Sequence, residues 1–423
     1  MGRGAAVIAA GALVWGVASS PAAADQIRSS QWPLRTFSAE SKVWPVSQGE
    51  GVVVAVLDSG VNQDHQDLLG QVLAGADLTG GKSDGRLDTD GHGTAMASLI
   101  AGTGHGSQAG IVGLAPKAKI LPIKIRSTEG LPEAQQSDLA QAIRFAADHG
   151  AKVINMSLGG YSGSDPQTRE AIKYAISKEI VLVASAGNSG DKAAPVEYPA
   201  AYPGVVAVAA VDERGQVWEK STFGPETTIS APGVGIYHAS AKSTSGYTVG
   251  NGTSDAAAYT SAVIALVRSK YPNLSAGQVI NRMIKSASPP ADGSAVPNAH
   301  YGYGVVDPAK ALEPNPGVDG GPKENPLLGR GESQGAPASG DPTDDASAVP
   351  PVDVPVAGAE GNPGITYTLL GAGGLGVLVV AGVVVGLLVR SRRRAAAAAA
   401  YPPPPAYPYP GAQPPPQQAP PYQ

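Results

Sequence analysis

Val52-Val53-Val54-Ala55-Val56-Leu57-Asp58-Ser59-Gly60 is the stretch on which the fold turns. Its six consecutive apolar residues, mostly valine, leave no polar face. A strand buried on both sides has that composition, and such strands belong to parallel sheets covered by helices on each face. The run ends in Asp58, and open α/β sheets gather their chemistry beyond the carboxyl ends of their strands. Taken alone, Asp58 is either a turn cap or a functional group.

Strand and helix signals alternate on either side of this run. Strands are expected over 120–125, 153–157, 180–184 and 205–211. A helix is expected over 133–149, with Leu139, Ala142, Ile143 and Ala146 on one face, and another opens at Asp165-Pro166, an N-cap followed by a first-turn proline. Ser275 caps a helix over 276–287, and Tyr301-Gly302-Tyr303-Gly304 brings the domain to its end near Leu312. Repeated βαβ units predict an α/β fold of three layers, with a mainly parallel central sheet and helices on both faces.

Two further stretches place polar groups at helix starts. Asp90-Gly91-His92-Gly93-Thr94 opens a small-residue helix over 95–101, and the flanking glycines let other backbone approach the imidazole closely. Gly250-Asn251-Gly252-Thr253-Ser254-Asp255-Ala256-Ala257-Ala258 opens a slim apolar helix with Ser254 at its N-terminus. Unpaired N–H groups and the positive end of the helix dipole would there meet an oxyanion forming beside the serine, although a lone serine at this position also serves as a plain N-cap. Leu158-Gly159-Gly160 and Ser185-Ala186-Gly187-Asn188 follow strand ends, on the rim that carries Asp58. His65, His105, His149, His238 and His300 are read as ordinary loop histidines.

The chain of 423 residues is long enough for one large domain plus appendages. Its net charge of −5, without basic clusters in the first 312 residues, offers no footprint for nucleic acid. The absence of cysteine excludes disulfides, thiolate metal sites and a cysteine nucleophile. No dense Asp/Asn loop dictates a calcium site, so neither metal nor cofactor is expected.

The ends differ from the middle. Residues 1–24 have the basic start, apolar run and small-residue site of a secretory signal peptide. Residues 25–50, with Trp32 and Trp44, are expected to lie over the domain surface as an N-terminal extension of a catalytic domain over 51–312. Residues 313–365 are Pro/Gly-rich and read as a disordered linker. Residues 366–389 are uncharged and long enough to span a bilayer as a C-terminal transmembrane helix. Arg390-Ser391-Arg392-Arg393-Arg394 follows, so by the positive-inside tendency the tail 390–423 faces the cytoplasm and the catalytic domain lies outside the cell membrane.

An acyl-transfer serine needs a base, a carboxylate to orient that base, and oxyanion donors. Asp58, His92, Asn188 and Ser254 supply these types, each at the end of a strand or the start of a helix. Ala55-Val56-Leu57-Asp58-Ser59-Gly60-Val61, Asp90-Gly91-His92-Gly93-Thr94 and Gly252-Thr253-Ser254 resemble the three active-site signatures of the subtilisin-like serine proteases, in the family's order, and Ser157-Leu158-Gly159-Gly160 and Ala186-Gly187-Asn188 match as well.

The resemblance implies that Ser254 is the nucleophile, His92 the general base, Asp58 the orienting carboxylate and Asn188 an oxyanion donor. It further implies that Ser157, Leu158, Gly159 and Gly160 bind extended protein or peptide substrates, and that Glu197 lines the pocket for the P1 side chain, favouring a basic or polar residue. The architecture, from signal peptide to single span, resembles the mycosin branch. That implies a membrane-anchored serine endopeptidase acting on exported proteins, with a type VII secretion membrane complex as partner. The alternative is a mainly structural component of such a complex, in which proteolysis is weak or dispensable.

The sequence departs from the family at Asp255, where an uncharged residue is usual, and at Ala258, where proline is usual. It also lacks the cysteines that the mycosin branch often carries. A carboxylate facing a developing oxyanion would oppose it, although the helix dipole favours one in a first turn.

Overall fold

The expected strand at 52–57 is β1 (Val53–Asp58), buried from Val54 onward. In the computed structural model, which describes residues 23–106, 108–126 and 138–329, β1 lies inside a seven-stranded sheet. The other strands are β2 (Ala76–Asp77), β5 (Lys119–Lys124), β6 (Val153–Met156), β7 (Val181–Ser185), β8 (Val206–Val211) and β9 (Thr227–Pro232). Their order is β2-β5-β1-β6-β7-β8-β9 and every pairing is parallel. The chain leaves β1, builds β5 on one side of it and β6 on the other. Asp58 therefore stands where the winding direction reverses, the point at which such sheets open a crevice.

Alternate residues of β1 feed two cores. Val54 and Val56 pack with α3 (His92–Ala101), α6 (Thr253–Lys270) and α7 (Ala276–Ser286), while Ala55 and Leu57 pack with α4 (Asp138–Asp148) and α5 (Pro166–Ser177). The three layers expected from the βαβ pattern are present. α6 runs through the larger core and is enclosed on every side: Ala256, Ala257, Ala258, Ala262 and Ala265 are fully buried there, and so are Tyr259, Ile264 and Leu266. Asp165 caps α5 by accepting from the N–H groups of Gln167 and Thr168, and Ser275 and Gln278 form a capping box on α7.

Two short antiparallel pairs complete the strands: β3 (Thr103–His105) with β4 (Ala109–Val112), and β10 (Ile236–Ser240) with β11 (Gly246–Gly250).

The N-terminal stretch departs from expectation. α1 (Ala23–Ser29), α2 (Trp32–Thr36) and a π-helical turn Ala39–Val43 carry Trp32, Leu34, Phe37 and Val43 into the core that holds α6. Phe37 meets the buried Tyr259 edge-on, with ring centroids 6.0 Å apart, and the Arg28 Nε donates to the Gly110 carbonyl at 3.1 Å. This stretch is structural because burial of its large apolar side chains outweighs its polar surroundings.

A second departure concerns residues 313–329, expected to begin the linker. α8 (Pro308–Leu312) and α9 (Pro316–Asp319) are capped by the side chains of Asp307 and Asn315. Arg282 of α7, 2% exposed, donates from Nη2 to both Asp319 carboxylate oxygens at 2.5–2.6 Å and from Nη1 to the Ala311 carbonyl at 2.9 Å. Beyond α9, Leu327 is buried, its carbonyl accepts from the Gly204 N–H at 3.0 Å, and Asn325 Nδ2 donates to the Gly204 carbonyl at 2.8 Å. One buried guanidinium collects this segment, which composition alone did not reveal. Asp319→Asn strands that charge, and should cost about 3 kcal/mol in urea unfolding.

The rest of the expected linker (330–365), the expected span at 366–389, the tail and residues 1–22 lie outside the described residues. Among the described residues, no helix is long and apolar enough to cross a membrane.

Candidate active site

The carboxyl ends of β1, β6 and β7 and the N-termini of α3 and α6 converge on one rim. At the end of β1 the Asp58 carboxylate faces the His92 ring, and Nδ1 lies 2.9 Å from each carboxylate oxygen. The carboxylate also accepts from the Ser59 N–H at 2.8 Å. Its negative charge raises the His92 pKa to about 9, against a smaller opposing effect of burial, with Asp255 and Asp90 adding to the rise.

A buried organiser that the sequence reading missed holds these two elements together. Asp88 accepts from the Ser59 hydroxyl and the Gly91 N–H through Oδ1, and from both the N–H and hydroxyl of Thr94 through Oδ2. The Ser59 hydroxyl in turn accepts from the Gly93 N–H at 3.0 Å. Gly93 must be glycine, since a Cβ there would meet the Gly60 carbonyl at 2.1 Å. The signal for Asp88 was its place two residues before Asp90, the spacing of a turn that a carboxylate closes onto backbone N–H groups.

Ser254 is the second residue of α6; Gly252 is the N-cap and supplies no side chain, so Ser254 is not the cap. The backbone around it is tied to β6 by buried hydroxyls and an amide. Ser157 donates to the Ser254 carbonyl at 2.9 Å and accepts from Asn155 Nδ2, while Asn155 Oδ1 accepts from Ser261 on α6. The Ser254 hydroxyl lies 3.4 Å from the Ser157 carbonyl. Across the rim, Asn188 Oδ1 accepts from the Thr253 N–H at 2.9 Å. Because that partner can only donate, the carbonyl oxygen must face it, which turns the Asn188 NH2 group the other way.

Two grooves meet at His92. One, of about 430 Å³, is lined by Asp58, His92, Ser157, Leu158, Gly159 and Tyr161; the other, of about 590 Å³, by His92, Asn188, His238, Ser254 and Asp255 among others. Glu197 lies between Gly159 and Gly187: a Cβ on Gly159 would come 1.8 Å from its Oε2, and its carboxylate accepts from the Gly160 N–H. Burial raises its pKa. The expected site residues thus share one rim. His238, read as an ordinary loop histidine, lies in the second groove beside Asp255, a position no local pattern around it signals.

A family model described as "Subtilase family" matches residues 49–304, more than half of the chain. The chain belongs to the subtilase family. This subtilase is 37% identical over 268 residues to subtilisin DY of Bacillus licheniformis, covering 63% of the chain and 92% of the relative. It is 34% identical over 272 residues to thermitase of Thermoactinomyces vulgaris, covering 64% and 92% respectively. Like these relatives, it is a serine endopeptidase. Among solved structures it is similar to MycP1 with the N-terminal propeptide removed, at 30% identity and a TM-score of 0.60, covering 69% of this chain and 99% of that one. It is also similar to MycP3 protease from the type VII (ESX-3) secretion system, at 34% identity and a TM-score of 0.58, covering 68% and 88%. The subtilase has a mycosin-type catalytic fold.

Proposed function

We propose that this subtilase is a membrane-anchored, extracytoplasmic endopeptidase of a type VII secretion system, with Ser254, His92, Asp58 and Asn188 as its catalytic groups. The observation that carries the catalytic assignment is the 2.9 Å contact of His92 Nδ1 with both Asp58 oxygens. It fixes the proton on Nδ1 and leaves Nε2 as the base toward the groove that holds Ser254.

A substrate lies extended along Leu158, Gly159 and Gly160 as an added strand. Ser254 Oγ attacks the scissile carbonyl carbon and its proton passes to His92 Nε2. The oxyanion is held by the Asn188 NH2 group and the Ser254 N–H. As the C–N bond breaks, His92 returns the proton to the leaving amine, and a water then hydrolyses the acyl-enzyme by the same relay. Metal chemistry has no part in this reading. Truncating the amide in Asn188→Ala should lower kcat by about 10²–10³-fold with little change in KM, in a steady-state peptide assay.

Secretion context and anchoring rest on the run at 366–389 with its arginine flank, and on the likeness to MycP1 and MycP3. The Glu197 carboxylate, packed between Gly159 and Gly187, favours a basic or polar P1 residue. A Glu197→Ala variant should lose that preference in a peptide library, and an unchanged P1 profile would sink the assignment.

The test of the whole reading is fluorophosphonate labelling of the intact chain. An adduct on Ser254 that disappears in Ser254→Ala and His92→Ala is the expected result. Absence of an adduct in folded protein favours the second reading, a chiefly structural component of the secretion complex, for which the carboxylate of Asp255 beside the nucleophile is the supporting observation.

A further inference from the structure

Asp255, directly after Ser254, is 3% exposed, and its Oδ1 is buried without a hydrogen-bond partner among the described residues. It faces the second groove rather than the protein interior. Across from it, His238 Nε2 lies 4.0 Å from Oδ1, too far for a hydrogen bond. The other ring nitrogen, Nδ1, sits 3.3 Å from the Ala239 carbonyl, a partner that can only accept, so the proton is assigned to Nδ1 and Nε2 is an acceptor. Two acceptors therefore face each other without a donor, and an N–H group approaching from the side, about 2.9 Å from each, would bridge them. Gly250 keeps that approach open, since a Cβ there would come within 2.8 Å of His238 Nε2.

We propose that Asp255 and His238 form a subsite for the cationic side chain of a lysine or arginine at P1′, the residue immediately after the scissile bond. The assignment rests on the endopeptidase reading above. With the acyl portion of the substrate along Leu158–Gly160, the second groove receives the leaving-group side. An ammonium or guanidinium brings several N–H donors, enough to satisfy Oδ1 and Nε2 together, and turns an unpartnered buried acceptor into a charge-assisted pair. Burial raises the Asp255 pKa to about 7, an effect the charge on nearby His92 partly offsets, and burial lowers that of His238, so the neutral ring places no cation at hydrogen-bond distance from Oδ1. Asp90 and Lys242 also line this groove, but both are exposed, where solvent and salt screen them.

The test compares kcat/KM of the intact enzyme on peptides identical except at P1′, which carries Lys, Arg, Met or Glu. A charge-assisted hydrogen bond to a buried group is worth roughly 10- to 100-fold, so Lys and Arg should exceed Met by that factor and Glu should be the poorest. In Asp255→Asn the Lys-to-Met ratio should fall to near one, and in His238→Gln it should fall part of the way. Equal cleavage of the Lys and Met peptides by the wild type, or a ratio unchanged in Asp255→Asn, overturns the subsite while leaving the endopeptidase reading intact. Failure to cleave any of the four, together with no fluorophosphonate adduct on Ser254, overturns both.

Discussion

Replacing Ser254 with alanine is expected to lower kcat by about 10⁶-fold, the magnitude found for removal of the nucleophile or base in a family relative. The structure gives the reason for so large a loss. Among the described residues, Ser254 is the only hydroxyl held at once at the N-terminus of α6, against the Ser157 carbonyl and in the groove with His92 and Asn188. The residual rate then comes from the oxyanion donors and substrate binding alone. His92→Ala should lose about as much, and the double variant no more than either, since the two act as one unit. Hydrolysis of a peptide ester, with folding checked by circular dichroism, decides the matter. A Ser254→Ala variant retaining more than a few percent of wild-type kcat would remove this serine from the mechanism.

The second large effect belongs to Asp58. Asp58→Asn should reduce kcat by about 10⁴-fold near neutral pH, because an amide opposite Nδ1 no longer fixes the productive tautomer or stabilises the imidazolium. The pH profile should change as well. His92 must be neutral to accept the serine proton, and its pKa is raised to about 9, first of all by Asp58. The wild-type kcat/KM should therefore climb through the neutral range and reach half its plateau at about pH 9. In Asp58→Asn the midpoint should move acid-ward, toward the ordinary imidazole value of about 6.5. The same shift has a stability consequence of opposite trend. The pair stabilises the fold fully below the unfolded histidine pKa, and that contribution is lost as pH rises through the folded one. Catalysis and ion-pair stability thus pull against each other across the alkaline range.

Much of this was legible because the deciding signals are local. The valines of β1, β6, β7 and β8 admit only buried strands, and the small residues of α6 admit only a buried helix. Asp58 ends β1, Asn188 follows the end of β7, and His92 and Ser254 stand at the starts of α3 and α6, so their positions follow from where these elements begin and end. β9 escaped because Thr227-Thr228-Ile229-Ser230-Ala231-Pro232 is too polar to read as buried, although its threonines and Ser230 are buried; Thr228 accepts from the Ala207 N–H, and Ser230 donates to the Gly304 carbonyl. β10 and β11 escaped because no Asn-Gly or Asp-Gly pair marks their turn. Asp88 carried a local signal, since its partners Asp90, Gly91 and Thr94 follow within six residues, whereas the roles of His238 and Arg282 depend on partners distant in sequence, which no window of neighbouring residues contains.

The docking of Leu327 and Asn325 on Gly204 has a bearing on how the enzyme can be handled. Gly204 precedes β8 and so belongs to the amino-terminal edge of the sheet, whereas Ser254 lies beyond the carboxyl ends of the strands. The last described residues therefore leave the domain at the pole opposite the cleft. A surface or resin coupled through the chain after Gly329 would hold the enzyme by its blind side, with the mouth of the cleft turned outward and open to large, folded targets. A coupling made through the β10–β11 turn would do the reverse and admit only short peptides.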